Sequence, residues 1–274
     1  MSTPPRTPPA RRLQLALSLL LVAGATASAP ATASERRFTY TYESLVLNPG
    51  HVEVEPWTTF RGGRDELYLR FDERIEIEIG VLENLQMAWY LNAKAVTAAA
   101  GDLLKKDFVF GGVSNEWKWK LLDPVADPVG LALYGEWTAA PSKAELEAKV
   151  IVDKRFGDLV AAVNAVGELE WELETPDEVA QELVLELDGG LAYLLTPELG
   201  LGLELRNHTV FAGEGFEGSV VYAGPTLSYA ADSWWVAVSV LPQVLDLARL
   251  GSAELQDLEH SERISARALL GIDL

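Results

Sequence analysis

The stretch ELYLRFDERIEIEIGV, residues 66–81, decides the fold. One set of alternate residues reads Leu67, Leu69, Phe71, Ile75, Ile77, Ile79; the other reads Tyr68, Arg70, Asp72, Arg74, Glu76, Glu78. A helix would mix the two sets on every face, whereas a strand sorts them onto opposite faces. Glu73 alone falls on the apolar side, where a bulge or a position above a membrane would absorb it.

The same alternation recurs on both sides of this stretch. Leu85, Met87, Trp89 and Leu91 oppose Gln86, Tyr90, Asn92 and Lys94. The odd-numbered apolar residues of 159–173 oppose Glu168, Glu170, Glu172 and Glu174. Leu199, Leu201, Leu203 and Leu205 oppose Glu204 and Arg206. Twelve strands are predicted, at about 51–61, 66–80, 84–97, 108–122, 130–140, 144–155, 158–174, 180–195, 198–211, 218–230, 233–244 and 261–274. Tight turns follow the even-numbered strands, and longer loops are expected at Thr97–Lys106, Ala212–Gly218 and Leu245–Ser261. Short turns at one end, longer loops at the other and an even count describe an all-β, antiparallel up-and-down transmembrane barrel of the Gram-negative outer membrane. A soluble secreted barrel or sandwich, apolar side inward, is the alternative that alternation alone leaves open.

Three features favour the membrane. Charges sit in mid-strand opposite uniform Leu, Ile and Val faces. Aromatics collect near strand ends as candidate girdles: Trp119, Tyr193 and Trp234 at the turn side, Trp137, Trp171 and Phe211 at the other. Ile264, Ala266, Ala268, Leu270, Ile272 and Leu274 form an alternating C-terminal face of the kind barrel-assembly machinery recognises, with Leu274 where Phe is usual.

Residues 1–33 read as a cleaved signal peptide: Arg6, Arg11 and Arg12, then the apolar run Leu13–Ala25, then Ala31 and Ala33 before the expected cut. Residues 34–274 would be one barrel domain. No cysteine is present, which excludes disulfides, thiol catalysis and Cys-ligated metals. Acids outnumber bases 41 to 22, so nucleic acid is not a partner.

The expected lumen wall comprises Arg70, Asp72, Arg74, Glu76, Glu78, Lys94, Glu116, Lys118, Glu136, Lys149, Glu168, Glu170, Glu186, Glu204, Arg206, Arg263 and Arg267. Carboxylates at i,i+2 lie about 7 Å apart on one strand face. Rows of them offer oxygen ligands to Ca²⁺ or Mg²⁺. The favoured reading is pairing with neighbouring bases, so no metal and no cofactor are expected. His208 lacks a serine two residues away, His51 and His260 stand alone, and no paired-aspartate spacing stands out; no enzyme is expected.

The stretch Ser114–Glu136 (SNEWKWKLLDPVADPVGLALYGE), together with Pro49-Gly50-His51, Glu53, Glu55 and Trp57-Thr58-Thr59, resembles an uncharacterised family of Gram-negative outer-membrane barrel proteins. The resemblance implies a porin-like or transporter-like barrel and brings no substrate and no site residues. The expected partners are outer-membrane lipid and lipopolysaccharide, the assembly machinery and small solutes. The function expected is a narrow channel with an acidic, cation-favouring lumen. Its rival is a closed structural or adhesive barrel working through its outer loops. The segment before the first strand is too short for a substantial plug on this reading, which leaves loop 245–260 as the part available to fold inward.

Overall fold

The computed structural model describes residues 35–100, 103–175, 178–213 and 215–274. The expected signal peptide and Glu214 lie outside the described residues, as does the side chain of Glu174.

Twelve strands form one closed antiparallel sheet. They are β1 (Val52–Gly62), β2 (Tyr68–Leu82), β3 (Leu85–Ala100), β4 (Leu103–Leu122), β5 (Gly130–Ala140) and β6 (Lys143–Phe156). They continue with β7 (Leu159–Thr175), β8 (Glu178–Leu194), β9 (Leu199–Ala212), β10 (Gly215–Ala231), β11 (Trp234–Asp246) and β12 (Ile264–Asp273). Each strand pairs with its sequence neighbours, and β12 closes the ring on β1 from Glu53 opposite Asp273 to Gly62 opposite Ile264. Closure gives every strand two partners, the condition for placing backbone amides in hydrocarbon.

Period-2 sequence produces the two-sided wall. Outward residues form an apolar surface in which Ile75, Leu91, Leu187 and Leu203 are each more than half exposed. An exposed apolar area of this extent is suited to lipid and not to water. Trp119, Trp137, Trp171, Tyr193, Phe211 and Trp234 all carry outward parity near strand ends. Several meet other aromatics: Trp137 meets Trp89 edge-on at 5.8 Å, and Trp234 meets Tyr229 at 5.6 Å. Glu73 stays on the outer face without any bulge in the β1–β2 or β2–β3 ladder at that point. The cost is reduced locally, because Thr58 Oγ1 on β1 donates to Glu73 Oε2 at 2.7 Å.

Two of the three expected long loops are corrected. β3 runs to Ala100 and β4 starts at Leu103, while β9 runs to Ala212 and β10 starts at Gly215, so both connections are extended hairpins. Alternation fades there because Lys105, Lys106 and Asp107 stand where neither face needs to be apolar. Bulges at Gly111–Gly112 and near Val221 accommodate the changes of register. Among the described residues, 247–263 is the long connection. It packs over the rim, with Arg64 bridging to Glu262 at 2.6 Å and Asp65 N–H donating to the Leu258 carbonyl at 2.9 Å.

The buried core lies inside the barrel, and a segment ahead of β1 builds much of it. Residues 35–51 enter the lumen from the short-turn end and return to that end. The sequence expectation of no substantial plug is therefore overturned. Phe38-Thr39-Tyr40-Thr41-Tyr42 bends at Thr39–Thr41, and its three aromatics each fill a separate patch of wall. Phe38 packs with Val160, Ala162 and Ala192; Tyr40 with Val220, Tyr222 and Leu241; Tyr42 with Trp57, Tyr134, Ile151 and Trp235. All three are at most 5% exposed, so the segment is an integral part of the packing.

Candidate functional site

The lumen is the candidate site, and it has two halves of different chemistry. In the half nearer the short turns, residues 35–51 are held mainly by hydrogen bonds from main chain to inward side chains. Glu204 on β9 is the principal anchor. Its Oε1 accepts from Tyr40 N–H and Thr41 N–H, each at 2.6 Å, and its Oε2 accepts from Thr39 N–H at 3.2 Å and Thr39 Oγ1 at 3.1 Å. Asn164 on β7 accepts from Tyr42 N–H at 2.5 Å and donates to the Tyr42 carbonyl at 3.0 Å. Gln86 on β3 accepts from Leu47 N–H at 2.9 Å. Each satisfies a peptide group that burial would otherwise leave unpaired.

Cations stack on the aromatic tip. Arg267 lies 3.7 Å above the Tyr40 ring, with Arg206 at 4.9 Å; Arg36 and Lys149 lie 4.0 and 4.2 Å from the Tyr42 ring. A cation over an aromatic face gains from the ring quadrupole, the more so when desolvated. The inner wall is thus less polar than the alternation suggested, since Trp57, Ile151, Trp235, Leu241 and Leu269 also point inward.

The half nearer the 247–263 connection is lined by ion pairs whose members keep partial contact with water. Asp72 pairs with Arg61 at 3.4 Å and Arg70 at 2.6 Å. Arg74 on β2 reaches Glu136 on β5 at 3.4 Å. Lys143 holds Glu145 and Glu170 at 2.7 and 2.6 Å, and Lys149 holds Glu147 at 2.9 Å. Glu186 binds Arg206 and, at 2.7 Å, His208 Nδ1, which makes His208 part of a wall network.

Of the residues expected to line the lumen, Arg70, Asp72, Arg74, Glu76, Glu78, Lys94, Glu116, Lys118, Glu136, Lys149, Glu168, Glu170, Glu186, Glu204, Arg206 and Arg267 carry inward parity. Arg263 is the correction: it is exposed at the end of the 247–263 connection, before β12 begins. The expectation that carboxylates pair with bases holds for Asp72, Glu136, Glu145, Glu147, Glu170 and Glu186. It fails for Glu76, Glu78, Glu168, Glu172, Glu182 and Asp188, and no salt bridge reaches Glu55 or Glu116 either among the described residues.

Sequence reasoning missed residues 36–47 altogether. Inward-parity glycines would have signalled them. A Cβ on Gly80 would sit 2.0 Å from the Asn48 carbonyl oxygen, and one on Gly190 would sit 2.5 Å from the Phe38 ring. Glycine at these places lets another stretch of chain approach the wall.

A closed twelve-stranded barrel with an apolar exterior and a charged lumen defines the class of outer-membrane barrels. The chain belongs to a family of unknown function, DUF6662, whose model matches residues 30–263. No curated protein matches it in sequence. Among solved structures it is similar to the COG4313 outer membrane channel from Pseudomonas putida F1, at 11% identity and TM-score 0.63, covering 87% of this chain and 100% of that one. It is also similar to the NanC porin, at 11% identity and TM-score 0.51 over 81% of this chain and 100% of that one. The β domain of the Bordetella autotransporter Brka is similar at 11% identity and TM-score 0.52, over 83% of this chain and 100% of that one. At such identities the likeness is one of fold.

Proposed function

We propose that the protein is an outer-membrane channel for small hydrophilic solutes, with an acidic lumen that favours cations and with residues 35–51 as its constriction. The observation that carries this reading is the sorting of side chains by the wall: apolar outward, charged and partly hydrated inward. Rings of fixed charge set ion selectivity, and acids predominate along this lumen. In this reading export removes residues 1–33, lipid and lipopolysaccharide surround the barrel, β12 is the strand the assembly machinery receives, and the lumen performs no covalent chemistry.

The depth of the plug favours a second reading, a closed barrel that works through its rim. Tyr40, Tyr42, Thr39 and Thr41 are almost fully buried, so solute passage requires this segment to shift. Planar-bilayer recording separates the two. Refolded protein should give discrete steps whose reversal potential under a salt gradient is that of a cation-selective pore, and weakening the Glu204 anchor should raise the open fraction. Silence from inserted wild type and from an anchor variant alike would overturn the channel and leave the closed barrel.

A further inference from the structure

In the lower half of the lumen five carboxylates converge where the wall supplies few bases. Glu53 and Glu55 come from β1, Glu76 and Glu78 from β2, and Glu116 from β4. Each of the triads Glu53–Glu55–Glu78 and Glu76–Glu78–Glu116 offers one oxygen per residue, all within 4.8 Å of one another. All five side chains are buried, at most 5% exposed.

Glu76 sets this group apart from an ordinary acidic surface. It is completely buried, and neither of its carboxylate oxygens has a hydrogen-bond partner. Glu55 Oε1 and Glu116 Oε1 are unpartnered as well. Their second oxygens are occupied, Glu55 Oε2 by the Trp57 indole N–H at 2.9 Å and Glu116 Oε2 by the Tyr90 hydroxyl. Glu53 Oε1 accepts from the Trp235 indole N–H at 3.0 Å. Indole and phenol donors thus fix Glu55 and Glu116 while leaving one oxygen of each without a hydrogen-bond donor, as oriented outer-sphere donors do at metal sites.

The nearby positive charges do not cancel the cluster. Arg36 acts on Glu55, Glu76 and Glu78, and Lys118 on Glu78 and Glu116, while Arg36 also meets the Tyr42 and Trp57 rings and the Thr39 carbonyl. Two cations face the four buried acids Glu55, Glu76, Glu78 and Glu116, and an uncompensated buried carboxylate costs several kcal/mol. The other acidic triad, Glu145–Glu168–Glu170, differs: it is partly exposed and Lys143 already sits in it.

We propose that Glu76, Glu78 and Glu116 hold one hard divalent cation, calcium in preference to magnesium, with Glu53 and Glu55 flanking Glu78. The donors are all oxygen, which excludes a soft-metal preference. Calcium accepts six to eight oxygens in flexible geometry, whereas magnesium requires a near-ideal octahedron and keeps its waters. A crowded, dry group of carboxylates suits the former. The ion would tie β2 to β4 within reach of the Arg36 charge of the plug. The proposal rests on the barrel and not on conduction, and binding in detergent is measured without any pore activity, so failure of one leaves the other standing.

The test uses refolded full barrel in detergent, stripped with EDTA and dialysed, its folding checked by heat-modifiable gel mobility. Terbium is the probe, excited through tryptophan, because Trp57 and Trp235 each donate to an acid that flanks Glu78. Sensitised luminescence should saturate near one terbium per chain and be displaced by calcium at lower concentration than by magnesium. The double variant Glu76→Gln/Glu78→Gln should weaken binding at least about tenfold. Glu168→Gln/Glu170→Gln should leave it unchanged. Calcium-45 equilibrium dialysis of wild type gives the stoichiometry even where the first variant does not fold. No calcium bound by folded wild type near neutral pH would overturn the proposal and show that the carboxyls share protons instead. Binding lost only with Glu168 and Glu170 would overturn it equally.

Discussion

Replacing Glu204 by alanine is the sharpest perturbation of the plug. Glu204 is 1% exposed and accepts four hydrogen bonds from residues 39–41. A hydrogen bond to a charged group contributes about 1.5–3 kcal/mol net. Counting only the two 2.6 Å bonds from Tyr40 and Thr41, at the lower figure, gives about 3 kcal/mol, because deletions within one network are not additive. That corresponds to roughly a hundredfold shift in the equilibrium releasing the segment. Hydrogen exchange read by mass spectrometry on a peptide spanning 36–42 should accelerate by about that factor, while amides of the β8–β9 ladder keep their protection. Glu204→Gln should fall between, near tenfold. Its carbonyl can still serve Tyr40 and Thr41, but its NH₂ group meets Thr39 N–H. Unchanged exchange of 36–42 in folded Glu204→Ala protein would refute the anchor and leave the aromatic packing as what seats the plug.

Leu203→Arg places a charge on the outer apolar face and should cost about 2–4 kcal/mol in the free energy of reversible folding into lipid vesicles, measured by urea titration; no change would mean that this face does not meet hydrocarbon. Gly80→Ala should unseat the root of the plug, since the new methyl collides with the Asn48 and Leu47 carbonyls, and exchange across 46–50 should rise while the β1–β2 ladder holds. In the β4–β5 turn, N–H groups of Ala126 and Val125 donate to Asp123 and lower its pKa below the ordinary carboxylate value. A depressed folded-state pKa stabilises above the unfolded value and is lost as pH falls through the folded one. The penalty of Asp123→Ala, read by thermal unfolding in detergent, should therefore be present at neutral pH and vanish as the pH falls through the depressed folded-state value; a penalty that persists in acid would contradict this assignment.

The wall was legible because lipid and water impose opposite demands on alternate residues. The strand at 66–81 and its eleven counterparts follow from that rule, and their ends are blurred only where it lapses, as at Lys105–Asp107. The plug was not legible for the complementary reason. Residues 36–47 face side chains on every side, so no period sorts them, and their partners lie far away in sequence: Asn164, Glu204, Ser239 and Ser265. Buried Glu76 and Glu78 look, as sequence, no different from Glu145 and Glu147. Only the folded barrel distinguishes acids that meet a lysine from acids that meet one another.

The separations along the chain also order events in time. Tyr40 meets Ser265 across 225 residues, and Thr39 meets Ser239 across 200. Contacts of that span carry the largest loop-closure entropy and cannot form until the strands bearing them exist. β12 is also the strand that shuts the ring against β1, the strand to which the plug is joined. Closing the ring and completing the seat of Tyr40 are therefore one event, and a barrel halted before its last strand would hold Phe38 against β7 and β8 while leaving Tyr40 without its β12 partner until the circle is complete.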